Sequence, residues 1–278
     1  MKTEVIIIFA IYFGFCLAET LFSNFFSKSE QTRGDGIVEI ISIVALLAIT
    51  QPTVLFLSYL VCTAVIPQYA EVFGSMNVFL AFGLFLIFDD MTQYWWHRAS
   101  HSIAWLYKLH RPHHNAKYMS VRLVYRNNIF YYLLMPSLWF SGILIFMGLA
   151  HVYAVFIVLK LLIITAAHSD LRWDRKLYES RFTRPIMWVL ERLISTPATH
   201  HAHHGRHKVD PATHYKGNYG NMLFLWDIIF GTDKITRRYP DKFGVENLPD
   251  TTVGEQLLWP LIRSSEPVVV SDTHHINK

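Results

Sequence analysis

The stretch "HRASHSIAWLYKLHRPHH", His97–His114, is separated by eight residues from the end of a long apolar run and carries five histidines with Arg98, Lys108 and Arg111. From His97 to Arg126 the chain adds Lys117 and Arg122 and contains no Asp or Glu. A segment that turns at one point from hydrocarbon-like to cationic reads as the end of a membrane span, and by the positive-inside rule it faces the cytoplasm. The remaining apolar runs have to be arranged around that boundary.

Working outward, the apolar runs are Val5–Phe22, Gly36–Ile66, Met76–Phe88, Ile129–Leu149 and Val152–Ala167, in a chain that is 52% hydrophobic and only 17% charged. At about 20 residues per crossing they predict four or five spans. Run lengths disfavour the competing reading, a soluble protein with large buried helices. The first run lacks a basic start and a small-residue cleavage site, and Glu19 interrupts its end, so it is expected to be a retained span and not a secretory leader. Gly36–Ile66 contains Pro52 and reads either as one long kinked span or as two half-spans. Leu171–Arg192 is again rich in Arg and Lys, whereas the connections at Pro67–Ser75 and near His151 carry almost no basic charge and are assigned to the opposite side.

The expectation is an all-α, polytopic membrane helical bundle of four or five spans with a cytoplasmic helical cap. Its third span enters Trp95–His101, a hairpin of two spans returns at His168, and the C-terminal third is cytoplasmic. No repeat, low-complexity tract or Gly/Ser linker divides residues 1–278, which read as one domain: N-terminal spans 1–88, a histidine-rich region 89–245 and a tail 246–278 whose last dozen residues are expected to fray. In "TRPIMWVLERLIS", Ile186, Val189, Leu190 and Leu193 share one face, as in an interfacial or packed amphipathic helix. Cys16 and Cys62 lie in apolar runs and are read as small hydrophobes, not a disulfide. The formal charge of +4 does not indicate nucleic acid, because the basic residues flank apolar runs.

Of fifteen histidines, eleven fall in two short regions. His97 and His101 form H-x-x-x-H; His110, His113 and His114 form H-x-x-H-H; His200, His203 and His204, in "THHAHHGRH", form a second H-x-x-H-H. Residues three or four apart share a helix face, so each group can offer several imidazoles to one metal. His168, in "AAHSD" at the inner end of the last span, is a ninth candidate. All nine fall at predicted membrane boundaries on one side, and nine imidazoles suit two ions. His151, His274 and His275 are read as ordinary histidines. Imidazole serves zinc, copper, iron and nickel, and a pair of ions with open positions suits oxygen activation by iron.

These boxes resemble those of the sterol desaturase and fatty acid hydroxylase superfamily, integral membrane di-iron oxygenases. "HRASH", "HRPHH" and "HHAHH" stand in the family's order, "AAHSD" resembles its isolated histidine, and "GNYGNMLFLWDIIFGT", Gly217–Thr232, looks like its closing motif. The resemblance runs from about Asp90 to Val245. It implies two iron ions, replaceable by zinc in purified protein, on His97, His101, His110, His113, His114, His168, His200, His203 and His204. His201, His207 and His214 lie close enough to leave the register of the last box open.

The resemblance further implies O2-dependent hydroxylation or desaturation of a sterol, fatty acyl or related lipid, with no catalytic side chain beyond the ligands. Asp89, Asp90, Asp170 and Asp227 lie near the boxes as candidate hydrogen-bond partners for ligating imidazoles. Arg98 and Arg111 are candidates for lipid headgroups. Tyr94, Trp95, Trp96 and Trp105 line a lipid path or form an interfacial belt. The chain has no H-P-G-G, cysteine cluster or G-x-G-x-x-G, so electrons come from a separate donor: a reductase with a ferredoxin or haem carrier, or a pterin as in the related alkylglycerol monooxygenases. An ether-lipid monooxygenase is the alternative enzyme, and "YMSVRLVYRN" is compatible with either. A metal transporter would place histidines at the membrane midplane, not at one face. Intact boxes stand against an inactive relative.

Overall fold

The computed structural model describes residues 2–28, 30–248 and 251–263. These contain no strand, only helices and one isolated bridge between Gly205 and Phe243. Eight helices organise them: α1 (Lys2–Phe22), α2 (Arg33–Val65), α3 (78–102), α4 (Ala104–His114), α5 (Pro136–Leu144), α6 (Ala150–His168), α7 (Arg184–Leu193) and α8 (Pro197–His203). Three stretches are long and apolar enough to cross a membrane: Thr3–Phe22, Arg33–Val65 and Pro136–His168. Only 6% of the first is buried against the rest of the chain, so its Ile6, Phe13, Leu17 and Leu21 form an outward apolar surface that water would not tolerate.

The ambiguity at Pro52 resolves as one continuous rod. A capping box between Thr32 and Asp35 starts α2. A wider π turn over Ala45–Thr50 then lets the Gln51 N–H reach Leu46 O, one residue beyond the α pattern. That turn accommodates a proline that offers no N–H of its own.

Pro136–His168 folds back on itself. Ser141 and Lys160 both hydrogen-bond Asp89 of α3, which a straight rod cannot allow. The reversal occurs at Gly148, where φ is 103° and a Cβ would stand 2.8 Å from the Gly74 nitrogen. Glu71 N and Phe73 N donate to Phe146 O and Met147 O, joining the Pro67–Ser75 connection to this turn. The two connections poor in basic residues thus lie together at one end of the bundle. α3 runs between them and the histidines, packing Ala81 and Phe85 against Leu149, Val152 and Phe156.

The acid-free segment after His97 is neutralised from elsewhere in the chain. Arg126 meets Asp35 at 2.7 Å, Arg122 meets Glu39 at 2.7 Å, and Arg111 meets Glu255 at 2.8 Å. Arg111 is 1% exposed, so it is not available to lipid headgroups as the sequence suggested; Arg98 bonds the Tyr94 hydroxyl and lies over Trp95. Glu255 belongs to a turn of helix, Val253–Leu258, that docks the start of the tail here; 264–278, with His274 and His275, lie outside the described residues. On α7, Met187 and Glu191 face inward while Ile186, Trp188, Val189 and Leu193 face outward, the orientation of an interfacial helix.

Candidate metal centre

The eight histidines singled out by spacing, together with His168, converge in space and divide into two groups. His97, His101, His110, His114 and His203 form one, and His113, His168, His200 and His204 the other. Each residue offers a nitrogen within 4.8 Å of those of its group. His101 is partly exposed and the other eight are buried. His201, His207 and His214 belong to neither. His201 packs edge-on to Tyr239 and Phe243, His207 pairs with Glu246 at the surface, and His214 contacts Thr232 O.

Local structure sets this division. On α4 the H-x-x-H-H box sends His110 and His114, one turn apart, to the first group and His113 to the second. On α8 the same pattern sends His203 to the first and His200 and His204 to the second. α8 is only two turns long and is fixed at its start: Thr196 and Thr199 form a capping box, Pro197 occupies the first turn, and Asp174 accepts from Ala198 N at 2.8 Å. Its exit is tight, because a Cβ on Gly205 would lie 2.2 Å from Thr213 Oγ1.

Five imidazoles have Nδ1 engaged by the surrounding chain. His97 Nδ1 meets Tyr219 O at 2.7 Å and His203 Nδ1 meets Gly217 O at 2.7 Å. His113 meets Leu123 O at 2.9 Å, His168 meets Ile164 O at 2.8 Å, and His110 meets Asn127 Oδ1 at 2.9 Å. A carbonyl only accepts, so in the neutral ring these Nδ1 atoms carry the proton and Nε2 is a bare lone pair. The Nε2 atoms of His97 and His203 nevertheless face one another at 3.0 Å, and those of His113 and His168 at 3.4 Å. Two lone pairs held this close repel one another unless both are directed at one cation, and each group contains one such pair.

Protonation is a poor source of that cation. Burial, and then the charge of neighbouring histidines, holds His113, His114, His200 and His204 well below the ordinary imidazole value; burial and His97 do the same to His203. Burial also holds His110 well below it. Neutral imidazole is the metal-binding form. His101 Nε2 is buried without a hydrogen-bond partner among the described residues, as a donor awaiting a metal would be. The residues fit two ions.

The aspartates do not partner the imidazoles directly, which corrects the sequence expectation. Asp89 takes Ser141 and Lys160, Asp90 takes Leu223 N and Trp226 Nε1, and Asp170 takes Ser23 and Lys28. Asp227 acts one step removed: it accepts from Tyr219 N at 2.8 Å and Gly220 N at 2.6 Å, shaping the loop whose carbonyls orient His97 and His203. Burial pushes the Asp227 carboxyl up to about 6. The Gly217–Thr232 stretch therefore works mainly through its backbone. Asn127, Tyr219 and Gly217 lie in stretches marked in the sequence, but their orienting roles are not legible there because a carbonyl or a lone amide has no spacing pattern.

A cavity of about 100 Å³ opens from His97, His110, His113 and His168 between α2, α3 and α6. Tyr94, Trp95, Trp96 and Trp105 do not line it; Trp95 and Trp105 lie outward on the surface, where a belt would place them.

A helical, membrane-type bundle that closes over two groups of inward-facing histidines defines a class of membrane proteins able to bind metal at one end. Residues 82–232, over half of the chain, match the fatty acid hydroxylase family, and the chain belongs to that family. It is similar to the alkylglycerol monooxygenase of Danio rerio, 31% identical over 148 residues, and to that of Homo sapiens, 26% identical over 145. Each match covers 51% of this chain and 28% of the relative, so the shared part is a minority of those proteins. No solved structure matches the chain.

Proposed function

We propose that the protein is a multi-pass membrane lipid hydroxylase with two iron ions, one on His97, His101, His110, His114 and His203, the other on His113, His168, His200 and His204. The observation that carries this reading is the facing pair of bare Nε2 atoms in each histidine group. The reaction is a monooxygenation: a C–H bond and O2, with two electrons and two protons, give an alcohol and water. Bound iron supplies the reduction of O2 and the cleavage of the C–H bond. The electrons come from a separate reductase with a ferredoxin or haem carrier, or from a pterin.

The chain's own part is orientation and exclusion. Backbone carbonyls hold the imidazoles in one tautomer with Nε2 inward. α3, α4, α6 and α8 keep them fixed, and the apolar cavity walls hold a lipid carbon near the histidines while limiting water. Hydroxylation is favoured over desaturation by the family and by the monooxygenase relatives. The same relatives favour an ether lipid as the second reading of the substrate. The positive-inside pattern supports a cytoplasmic site, with α1, α2, α3 and the α5–α6 hairpin as the spans.

Metal analysis of gently purified protein with iron Mössbauer spectroscopy tests this directly. About two irons per chain are expected, reduced in His110→Ala and His203→Ala. One metal per chain, or unchanged metal in both variants, overturns the two-ion reading.

A further inference from the structure

The cavity has a polar far end that metal binding does not use. Asp89 of α3 and Lys160 of α6 are both buried, pair with each other, and line the cavity; Ser141 of α5 completes the Asp89 carboxylate. Gln51 and Tyr153, bonded to each other at 3.3 Å, lie on the same wall. Along α3 the cavity stripe reads Asp89, Gln93, His97, and along α6 it reads Lys160, Ile164, His168. On both helices the ion pair is therefore two turns, about 12 Å, from a candidate ligand, with Gln93 about 6 Å from His97 along the axis.

A membrane-buried ion pair is costly, and apolar residues of the same volume would hold α3, α5 and α6 together as well or better. A purely structural staple also leaves two facts unexplained. Gln93 Oε1 is buried and has no hydrogen-bond partner among the described residues. The Lys160 ammonium has three protons; its one hydrogen bond among the described residues goes to Asp89, and Nζ also lies 5.6 Å from the Phe156 ring centroid, so a proton is left for a further acceptor. An unused acceptor and an unused donor thus border one cavity. Leu47, Leu161 and Ile164 line the way between them and the histidines.

We propose that Lys160, held by Asp89, and Gln93 form an anchor for a neutral hydroxyl group on a long-chain lipid substrate. The hydroxyl oxygen accepts from Lys160 Nζ and its hydrogen is donated to Gln93 Oε1. A carboxylate or phosphate there would add an unbalanced charge to a pair already neutral overall; a plain hydrocarbon would leave both groups unsatisfied. The anchored chain runs along the apolar wall to the histidines, and the reacting carbon lies several bonds from the one bearing the hydroxyl. Where oxidation falls depends on the lipid-hydroxylase reading above; binding of the hydroxyl does not.

The test is binding of radiolabelled 1-hexadecanol to the full chain in phosphatidylcholine nanodiscs, metal-free and iron-loaded, with unlabelled hexadecanol, hexadecane and hexadecanoate as competitors. Hexadecanol is expected to compete about tenfold better than either of the others, and Gln93→Leu to lower its affinity about tenfold. The double variant Asp89→Leu/Lys160→Met removes both charges together and leaves no unpaired ion. It is expected to abolish the preference for the alcohol over the alkane. Equal competition by hexadecane in the wild type, or wild-type affinity in Gln93→Leu, overturns the anchor, and these two readings stand even if the double variant does not fold. Metal content of the same preparations is measured separately, so an absent iron pair overturns the hydroxylase reading without altering the binding result.

Discussion

The two histidine groups draw on the same sequence motif in opposite proportion. α4 gives two imidazoles to the first group and one to the second, and α8 reverses the ratio. The difference in size comes from the remaining contributors: α3 adds His97 and His101 to the first, while α6 adds only His168 to the second. They differ in support as well. In the first group, His97, His203 and His110 are oriented by the Gly217–Thr232 loop and Asn127; in the second, His113 and His168 rest on the carbonyls of Leu123 and Ile164. The first group therefore offers five candidate donors and the second four.

That contrast can be broken most directly at its smallest member. His168→Ala leaves three donors in the second group, and we expect loss of one metal per chain and a fall in activity of about 100-fold or more. His101→Ala leaves four in the first group and should retain more metal, with weaker affinity. Elemental analysis of both variants decides it; greater metal loss from His101→Ala would reverse the ranking.

Next in size is the support around the first group. Asn127→Leu removes the partner of His110 Nδ1 while keeping the ligand, and metal affinity there is expected to weaken about 10-fold to 100-fold, read by chelator competition. Asp227→Ala leaves the buried Tyr219 and Gly220 N–H groups without an acceptor. It should cost about 1–3 kcal/mol of stability and loosen the first group before the second.

A smaller effect is common to both groups. Buried imidazoles kept neutral in the folded chain take up protons once it unfolds, starting near the ordinary histidine value of 6.5. Their folded values lie lower, so the stability they contribute is full above that value and is lost as pH falls below it. Metal-free protein scanned from about pH 8 to about pH 5 should therefore show a flat melting midpoint that drops on the acid side. A midpoint that rises on acidification would contradict neutral, buried histidines. Smallest of all, His201→Phe should leave metal content unchanged, because His201 faces Tyr239 and Phe243.

Several features are legible in the sequence alone. The helix period puts i and i+4 on one face, so the boxes announce clustered imidazoles. The apolar runs announce long helices, and the acid-free segment after His97 marks where one ends. Lys160 is a single charge inside the run Val152–Ala167, but its pairing with Asp89, at the end of another run, is not legible in the sequence. Asp89 stands 71 residues away and meets it only because the chain reverses at Gly148.

By itself, then, the sequence determined an all-helical, membrane-type chain and the nine histidines that gather at one end, because residue type and helical spacing are local properties. Only the tertiary structure decided which histidine joins which group, that Pro52 sits in an unbroken rod, that carbonyls and not aspartates orient the imidazoles, and that Lys160 and Gln93 border the same cavity. Each of these depends on contacts between segments far apart in the chain, made by backbone atoms or single side chains that leave no periodic trace.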